Sequence, residues 1–344
     1  MKHIIIALLL LLVISCSDNP TTVHFNNVNR TYLHAYDFAR NFFIIDTSYK
    51  SVIEEYYKLG YIPQAVAPLR IKEIEVWESN NNFNDSSVTF IGIAFADLET
   101  KKYLMGERYN ESLLHIPPTS GIVEMSNFVK LDSSKYTIDY NLGILHLKEL
   151  KYDRYYAVSY RVDGATKVSD DDEYYGTMSN LANPKDTLIL KLIYRPNLLP
   201  AYRTLWQRQL KNYYSFDTKD IDVNKTDVKM YYIKHINDTT DVLDSLPDKL
   251  VTILGVDRLN NSTGNPVPDG KFDWYHPNFY KEEGIIIFPS LQPFNEGLKS
   301  YFQKINRNDL IEKYIFPEVY YNTYEEARSN TAKDRFLIVI ETEK

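Results

Sequence analysis

Short segments in which apolar and polar side chains alternate recur along the chain, and this alternation restricts the fold more than any other feature. Residues 70–77 alternate over most of their length, and residues 155–162 do so throughout. Between them, residues 136–140 and 143–147 predict a hairpin with Asn141-Leu142-Gly143 as its turn, since Asn and Gly tolerate positive φ. Alternation with period two is typical of half-buried strands. Several short strands at this spacing favour a β-sandwich.

Helical patterns are fewer. Residues 48–59 predict a helix that Ser48 or Ser51 could cap and that ends before Gly60. In residues 199–214 apolar side chains recur every three or four positions, which predicts a helix with Trp206 on its buried face. The remaining segments predict strands at 87–95, 187–195, 229–235, 250–256, 284–288 and 335–341, and a short helix at 323–330.

These elements predict a mainly β fold with a few helices. We expect a β-sandwich-like domain followed by an α+β region, and no closed transmembrane barrel. An acidic run at residues 169–173 marks the linker between them. The predicted organisation is a signal peptide (1–15), a flexible tether (16–29), a helical segment (30–67), the sandwich-like domain (68–165), an acidic linker (166–186) and the α+β domain (187–344).

The N-terminus has the features of a lipoprotein signal. Lys2 and His3 precede the unbroken apolar run Ile4–Ile14, which is shorter than the roughly 20 residues a membrane-spanning helix needs but suits a signal peptide. The run leads into Ser15 and Cys16, the pattern that lipoprotein signal peptidase recognises, and Cys16 is the only cysteine of the chain. We therefore expect acylation at Cys16 and an outer-membrane location, periplasmic or surface-facing; an ordinary signal peptide with an incidental cysteine is the alternative.

Composition excludes several classes of function. The net charge of −7 disfavours nucleic-acid binding, which requires a concentrated basic surface. Beyond Cys16 no cysteine is left for a disulfide, a zinc site or a thiol nucleophile. The sequence contains no glycine-rich phosphate loop, metalloprotease motif or nucleophile elbow, so we expect no enzyme. The 29 tyrosines suit half-buried sheets, and they also fit a surface that binds glycan or peptide.

One loop is dense in oxygen ligands. It runs from Gly255 to Asp273, and its spacing does not match an EF-hand. Calcium prefers six to eight oxygen ligands, so the loop is a candidate calcium site. An Asx-rich turn, in which side chains bind their own backbone, is the alternative. The candidate ligands are Asp257, Asn260, Asn261, Asp269 and Asp273.

Several segments resemble, in order, motifs of the SprA (Sov) family, the outer-membrane translocon of type IX secretion and gliding motility. The motifs are distributed along residues 70–341, so the resemblance extends over most of the mature chain. The segments are Lys72–Trp77 (similar to I-E-V-W), Tyr136–Gly143 (Y-x-V-D-Y-x-x-G), Thr204–Ser215 (L-W-x-L-x-x-K-N-x-Y-S), Gly255–Asp273 (G-x-D-x-L-N…P-x-P-D-G-x-F-D), Ile285–Phe294 (I-I-F-P-x-L-x-P-F), and Phe316–Thr323 with Arg335-Phe336 (F-x-E-L-Y-D-x-T and the next strand).

The resemblance implies a role in protein export rather than catalysis. SprA-type translocons are very large, and this chain has too few strands to supply such a pore, so it resembles their soluble N-terminal-type domain. The resemblance therefore implies an accessory or paralogous component of type IX secretion or gliding motility, with other envelope or secretion proteins as partners and no catalytic residues. A cell-surface binding module for glycan or peptide is the alternative function.

Overall fold

The structure is a computed structural model that describes residues 21–25, 28–64, 70–80, 89–99, 101–102, 109, 111–164, 171–182, 186–216, 218–219, 221–235, 238–275 and 277–343. It divides into two compact units, each discontinuous in sequence. The first unit comprises Met1–Ala39, Tyr56–Tyr61 and Lys211–Lys344, and the second unit comprises Arg40–Glu55 and Ile62–Leu210. The predicted linker, residues 166–186, falls inside the second unit.

Strands predominate over helices in the described residues. The strands are β1 (Thr21–Phe25), β2 (Val28–His34), β3 (Phe42–Ile44), β4 (Ile71–Ser79), β5 (Thr89–Phe95), β6 (Lys101–Lys102), β7 (Val123–Lys130), β8 (Tyr136–Asp139), β9 (Ile144–Leu147), β10 (Tyr156–Val162), β11 (Glu173–Tyr175), β12 (Leu188–Tyr194), β13 (Tyr213–Ser215), β14 (Thr226–His235), β15 (Asp238–Thr240), β16 (Phe279–Tyr280), β17 (Ile285–Ile287) and β18 (Phe336–Glu343).

The helices are short. They are α1 (Lys50–Leu59), α2 (Arg203–Trp206), α3 (Leu250–Ile253), α4 (Leu298–Lys304), α5 (Ile311–Tyr314), α6 (Glu318–Tyr321) and α7 (Tyr324–Ser329), with single turns of other helix types at Thr47–Tyr49, Glu111–His115, Ser133–Lys135, Ser179–Leu181, Pro293–Gly297 and Asn308–Leu310. Among the described residues, no helix has both the length and the apolar character needed to cross a membrane.

The second unit contains a closed five-stranded barrel in the order β12-β5-β7-β4-β10, in which β10 pairs back to β12. Only the β5–β12 pair is parallel. This barrel corrects the predicted fold class, because the sandwich-like domain without a closed barrel is wrong. The predicted domain boundary at residue 187 places the closing strand β12 in the following domain. Alternation of side chains is the same in a sandwich and in a barrel, so the local pattern could not reveal the closure.

Alternate side chains of the barrel strands form its core. Trp77 is fully buried, and its indole Nε1 donates a hydrogen bond to Ser159 Oγ at 3.2 Å. Phe128 passes so close to Gly92 that a Cβ there would lie 2.6 Å from the phenylalanine ring. Large and small residues therefore alternate across the interior, as a narrow barrel requires. The core also includes Ala94, Ala96, Ala157, Leu188, Leu190, Leu192 and Leu205.

Other strands of the second unit form an antiparallel sheet in the order β3-β9-β8. The β8–β9 hairpin agrees with the sequence prediction, and Gly143 in its turn has a φ of 63°. The predicted helix over residues 199–214 is wrong, because only the single turn of α2 forms. There Leu205 is fully buried whereas Trp206 is half-buried. The chain then enters β13, where Tyr213 and Tyr214 are both buried. Burial of these side chains in a sheet therefore determines the structure here, although the local periodicity is that of a helix.

The first unit is built on an antiparallel sheet in the order β1-β2-β18-β14-β15. Residues 21–25 and 28–29 of the segment predicted to be a tether are paired in this sheet. One face packs on the main core, to which β18 contributes Phe336, Ile338 and Ile340. A smaller sheet, β13-β17-β16, and the short helices α3 to α7 complete the unit.

The segment predicted as a strand at 250–256 forms α3 and a turn instead. Leu250, Val251, Ile253 and Leu254 are all buried in the core of the first unit. A short apolar run of this kind is compatible with a buried strand or a buried helix, and periodicity alone does not separate them.

Candidate functional site

The predicted calcium loop follows α3, and its carboxylates accept hydrogen bonds from the backbone. Asp257 is buried, and its Oδ1 accepts from the backbone N of Asp269 at 3.0 Å. Its Oδ2 accepts from Gly270 N at 2.9 Å and from Thr252 Oγ1 at 2.5 Å. The side chain of Asp257 therefore holds the two ends of the loop together.

The other predicted ligands behave in the same way. Asp273 Oδ2 accepts from the backbone N of Arg258 at 2.6 Å, and burial raises the pKa of this carboxyl. Asn260 Oδ1 accepts from Thr263 N at 3.0 Å, and the backbone N of Asn261 donates to Asp269 Oδ2 at 2.9 Å. Within the described residues, no group of three or more His, Cys, Asp or Glu side chains is arranged to hold a metal ion.

The predicted lipidation residue, Cys16, lies outside the described residues.

A second arrangement lies on the five-stranded sheet, on the face opposite the main core. Cross-strand pairing places three rows of side chains there, each row with one residue from β2, one from β18 and one from β14. We call this surface the tyrosine face. Its rows are His34–Leu337–Tyr231, Tyr32–Val339–Lys229 and Arg30–Glu341–Asp227.

The centre of the tyrosine face is aliphatic. Leu337 and Val339 on the central strand are only 6% and 4% exposed, although they point away from the main core. Their cross-strand neighbours Tyr231 and Tyr32 are half-buried, and burial raises the pKa of both phenols. The two hydroxyls are therefore protonated at neutral pH and can donate hydrogen bonds at the edge of an apolar strip.

A charged triad borders this strip. Glu341 accepts from Arg30 Nε at 2.6 Å with one oxygen and from Lys229 Nζ at 2.5 Å with the other. Burial alone would raise the pKa of Glu341, but the hydrogen bonds from Lys229 and Arg30 lower it. Half-exposed ion pairs contribute little stability individually. Their effect here is to fix two long side chains beside Tyr32.

The opposite border carries a histidine. His34 Nδ1 lies 2.9 Å from Asp334 Oδ1, and the ring stacks on Tyr36 with centroids 5.2 Å apart. The phenol of Tyr36 donates to Asp334 Oδ2 at 3.0 Å. Burial alone would lower the pKa of His34, but the hydrogen bond to Asp334 and the charges of Asp334 and Asp37 raise it. The raised pKa favours the protonated, charged form of His34 at this end of the face.

The tyrosine face was not predictable from the sequence, since its residues come from three distant segments. A signal was present in the alternation. Tyr32 alternates with the buried residues Thr31 and Leu33, and Tyr231 follows Met230 in the same way. These outward-pointing tyrosines lie on two different strands. Their shared surface could be predicted only by knowing that both strands pair with β18.

The second unit contains an ion pair between the buried Lys191 and the half-buried Asp46. Lys191 is 1% exposed, and its Nζ donates to Asp46 Oδ2 and, at 3.3 Å, to the hydroxyl of Tyr160. It also lies 4.4 Å from the centre of the Tyr175 ring. Asp46 in turn accepts from Ser48 N, so it begins the helical turn that precedes α1.

The ionisation of this pair follows from its burial. Desolvation lowers the pKa of Lys191 to about 8, and the nearby charge of Arg208 acts in the same direction. Burial alone would raise the pKa of Asp46, but the charge of Lys191 lowers it to about 2. Both groups are therefore charged at neutral pH. Arg208 is also buried and donates to the carbonyls of Leu192 and Ala96. Lys191 alternates along β12 with Leu190 and Leu192 of the barrel core, so the ion pair lies on the outer face of the barrel.

The chain matches no family model and no curated protein sequence. The resemblance to the SprA family therefore stays a prediction that depends on the motifs quoted above.

Proposed function

We propose that the protein is a non-enzymatic outer-membrane lipoprotein, anchored through Cys16, that binds other envelope proteins through the tyrosine face. The observation that carries this proposal is that Tyr32 and Tyr231 are only half-buried and lie on either side of Leu337 and Val339, which are almost completely buried. Interfaces between proteins are enriched in Tyr and Arg around a desolvated apolar centre, and a few such residues supply most of the binding energy.

The charge distribution of the face also favours a protein partner. The positive charges of Arg30 and Lys229 are balanced by two carboxylates, Glu341 between them and Asp227 beside Lys229. The surface therefore lacks the concentrated positive charge that nucleic acid requires. The triad fixes its own side chains, and the pairing of β2 and β14 with β18 fixes the backbone of both tyrosines before binding. A pre-ordered surface loses less conformational entropy when a partner docks.

The resemblance to SprA motifs supports one cellular context. In this proposal the partners are components of type IX secretion or gliding motility, and the chain is an accessory or paralogous part of that system. The order of the motifs along residues 72–336 supports this context, while the tyrosine face supports protein binding independently of it.

The test is a crosslinking pull-down of the full-length acylated protein from its native envelope, read by mass spectrometry. We expect large envelope proteins in the eluate, and we expect the Tyr32→Ala/Tyr231→Ala variant to reduce their recovery by roughly tenfold or more, as loss of hot-spot residues does. Tyr152→Ala is the matched control, because Tyr152 is 58% exposed but lies in the second unit.

Other results of this pull-down would contradict the proposal. Equal recovery from the double variant and the wild type would exclude the tyrosine face as the binding surface, and an eluate with soluble sugars alone would favour the glycan-binding alternative.

The Cys16→Ser variant tests the lipid anchor separately. We expect this variant to remain an uncleaved precursor or to leave the membrane fraction. Unchanged maturation and membrane partition would contradict the lipoprotein assignment.

We propose that the loop at residues 255–273 is held by its own hydrogen bonds and does not require calcium. Asp257 and Asp273 each accept at least two hydrogen bonds from the chain, which is the support for this proposal. We expect the same melting temperature in excess calcium and in EDTA. A ligand that binds only the folded state raises the melting temperature, so a calcium-dependent increase that Asp257→Asn abolishes would contradict it.

A further inference from the structure

The stretch between the proposed lipid anchor and the first strand is short. Residues 17–20 are all that separate Cys16 from Thr21, where β1 begins. A fully extended chain covers at most about 3.6 Å per residue, so Thr21 lies within roughly 18 Å of an acylated Cys16. A small domain is about 30 Å across. The tether therefore allows only the side of the first unit near Thr21 to face the bilayer.

Strand pairing determines which end of the five-stranded sheet lies beside Thr21. This residue pairs with Tyr32 on β2, close to the end of that strand at His34. His34 pairs in turn with Leu337, one residue after β18 begins, and Leu337 pairs with Tyr231 on β14. We call this end of the sheet the anchor end. It comprises residues 32–37, 231–235 and 333–337.

Three cations at the anchor end have no carboxylate partner among the described residues. Arg335 donates through Nε to the carbonyl of Ala332 and through Nη1 to the carbonyl of Lys234, both at 3.0 Å. Lys333 Nζ donates to the carbonyl of Glu312. Lys234 is exposed, and no described residue forms a hydrogen bond or an ion pair with its ammonium group. Carbonyl partners leave the charge of a cation uncompensated, so all three can bind phosphate oxygens.

The acidic residues nearby are engaged with other groups or make no ion pair. Asp334 is bonded to His34 and Tyr36, and Asp37 accepts from the backbone N of His34 at 2.7 Å. Both carboxylates raise the pKa of His34, which favours a further positive charge at this end. Asp238 on the neighbouring β15 is exposed and forms no ion pair with a described residue.

We propose that the anchor end of the sheet lies against the lipid headgroups of the bilayer that holds Cys16, with its three cations bound to phosphate groups. This inference rests on the proposed lipid anchor. Basic side chains next to a membrane are attracted to anionic headgroups. The opposite end of the sheet carries the charged triad, whose cations already have carboxylate partners. The strands then run away from the bilayer, and the tyrosine face stands beside the membrane, open to other envelope proteins.

The test uses the full-length acylated protein in vesicles of phosphatidylethanolamine and phosphatidylglycerol with a quencher on some headgroups. Acylation consumes the thiol of Cys16, the only cysteine, so one introduced cysteine can carry a fluorophore. His235→Cys labels the anchor end, and Asn224→Cys is the matched control, because both positions are exposed and β14 separates them by about 30 Å. We expect at least twofold stronger quenching at His235→Cys.

The possible results separate this inference from the lipid anchor. Equal quenching at the two positions of a vesicle-bound protein, or stronger quenching at Asn224→Cys, would overturn the orientation and leave the anchor intact. A protein that does not stay with the vesicles would overturn both. In the Lys234→Gln/Lys333→Gln background, we expect the difference in quenching to fall by about half or more. An unchanged difference would overturn the contact between these cations and phosphate.

Discussion

The Asp46→Ala variant should unfold with a free energy about 3 kcal/mol lower than that of the wild type at neutral pH. The substitution leaves Lys191 buried without its carboxylate, and removal of one partner of a buried pair typically costs 3–5 kcal/mol. The lower end of that range applies here. The pKa of Lys191 is already about 8, so the lysine can release its proton when Asp46 is lost, and this limits the penalty.

The double variant Asp46→Ala/Lys191→Met provides the control. Replacing a buried ion pair by apolar side chains is often neutral or stabilising, because it removes the cost of desolvating both charges. We therefore expect the double variant to recover most of the loss, with urea unfolding followed by circular dichroism as the measurement. If Asp46→Ala were as stable as the wild type, or if the double variant were no better than Asp46→Ala, the ion pair would not be coupled as described.

The same pair gives a direction for the effect of pH. The pKa of Asp46 is lower in the folded protein than in the unfolded chain, so its contribution is present above pH 4 and is lost as the pH falls toward about 2. The pKa of Lys191 is also lower in the folded protein. Between about pH 8 and about pH 10.5, Lys191 is still protonated in the unfolded chain but has largely lost its proton in the folded protein. The free energy of unfolding therefore rises with pH over this range. Both slopes should be absent from the double variant.

The local sequence predicted an element correctly where the residues that determine its structure lie within the element itself. The hairpin at Tyr136–Leu147 formed as predicted because its turn glycine and its alternation agree. The helix near the C-terminus also formed, where Thr323 and Glu326 make a capping box. In these cases the side chains that determine the structure lie within a few residues of each other.

Elements that depend on distant partners were not predictable. Barrel closure requires β12 to pair with β5 and β10, and no feature of Leu188–Tyr194 identifies those partners. The tyrosine face has the same difficulty, because Tyr32 and Tyr231 become neighbours only through β18. The predicted calcium loop could not be interpreted from its sequence for a different reason. Its composition suits metal ligands and also side chains that accept hydrogen bonds from the backbone. Only the geometry around Asp257 shows that this carboxylate accepts from the backbone.

The Trp77→Ala variant should lower the free energy of unfolding by about 3–5 kcal/mol, as expected for a large-to-small substitution at a fully buried aromatic residue. Trp77 fills the barrel interior beside Phe90 and donates to Ser159. The cavity cannot collapse easily, because closed strand pairing fixes the barrel wall on every side. Loss of the indole N–H also leaves the buried Ser159 with one partner fewer.

The matched control is Trp206→Ala. Periodicity predicted a core position for Trp206, but its side chain is half-buried, so we expect a smaller loss of about 1–2 kcal/mol. Urea unfolding of both variants under identical conditions separates the two assignments. Equal losses would mean that the helix predicted over residues 199–214 is present in solution and buries Trp206. A small loss for Trp77→Ala would mean that the barrel interior is more open than the structure indicates, and the closure by β12 would then be in doubt.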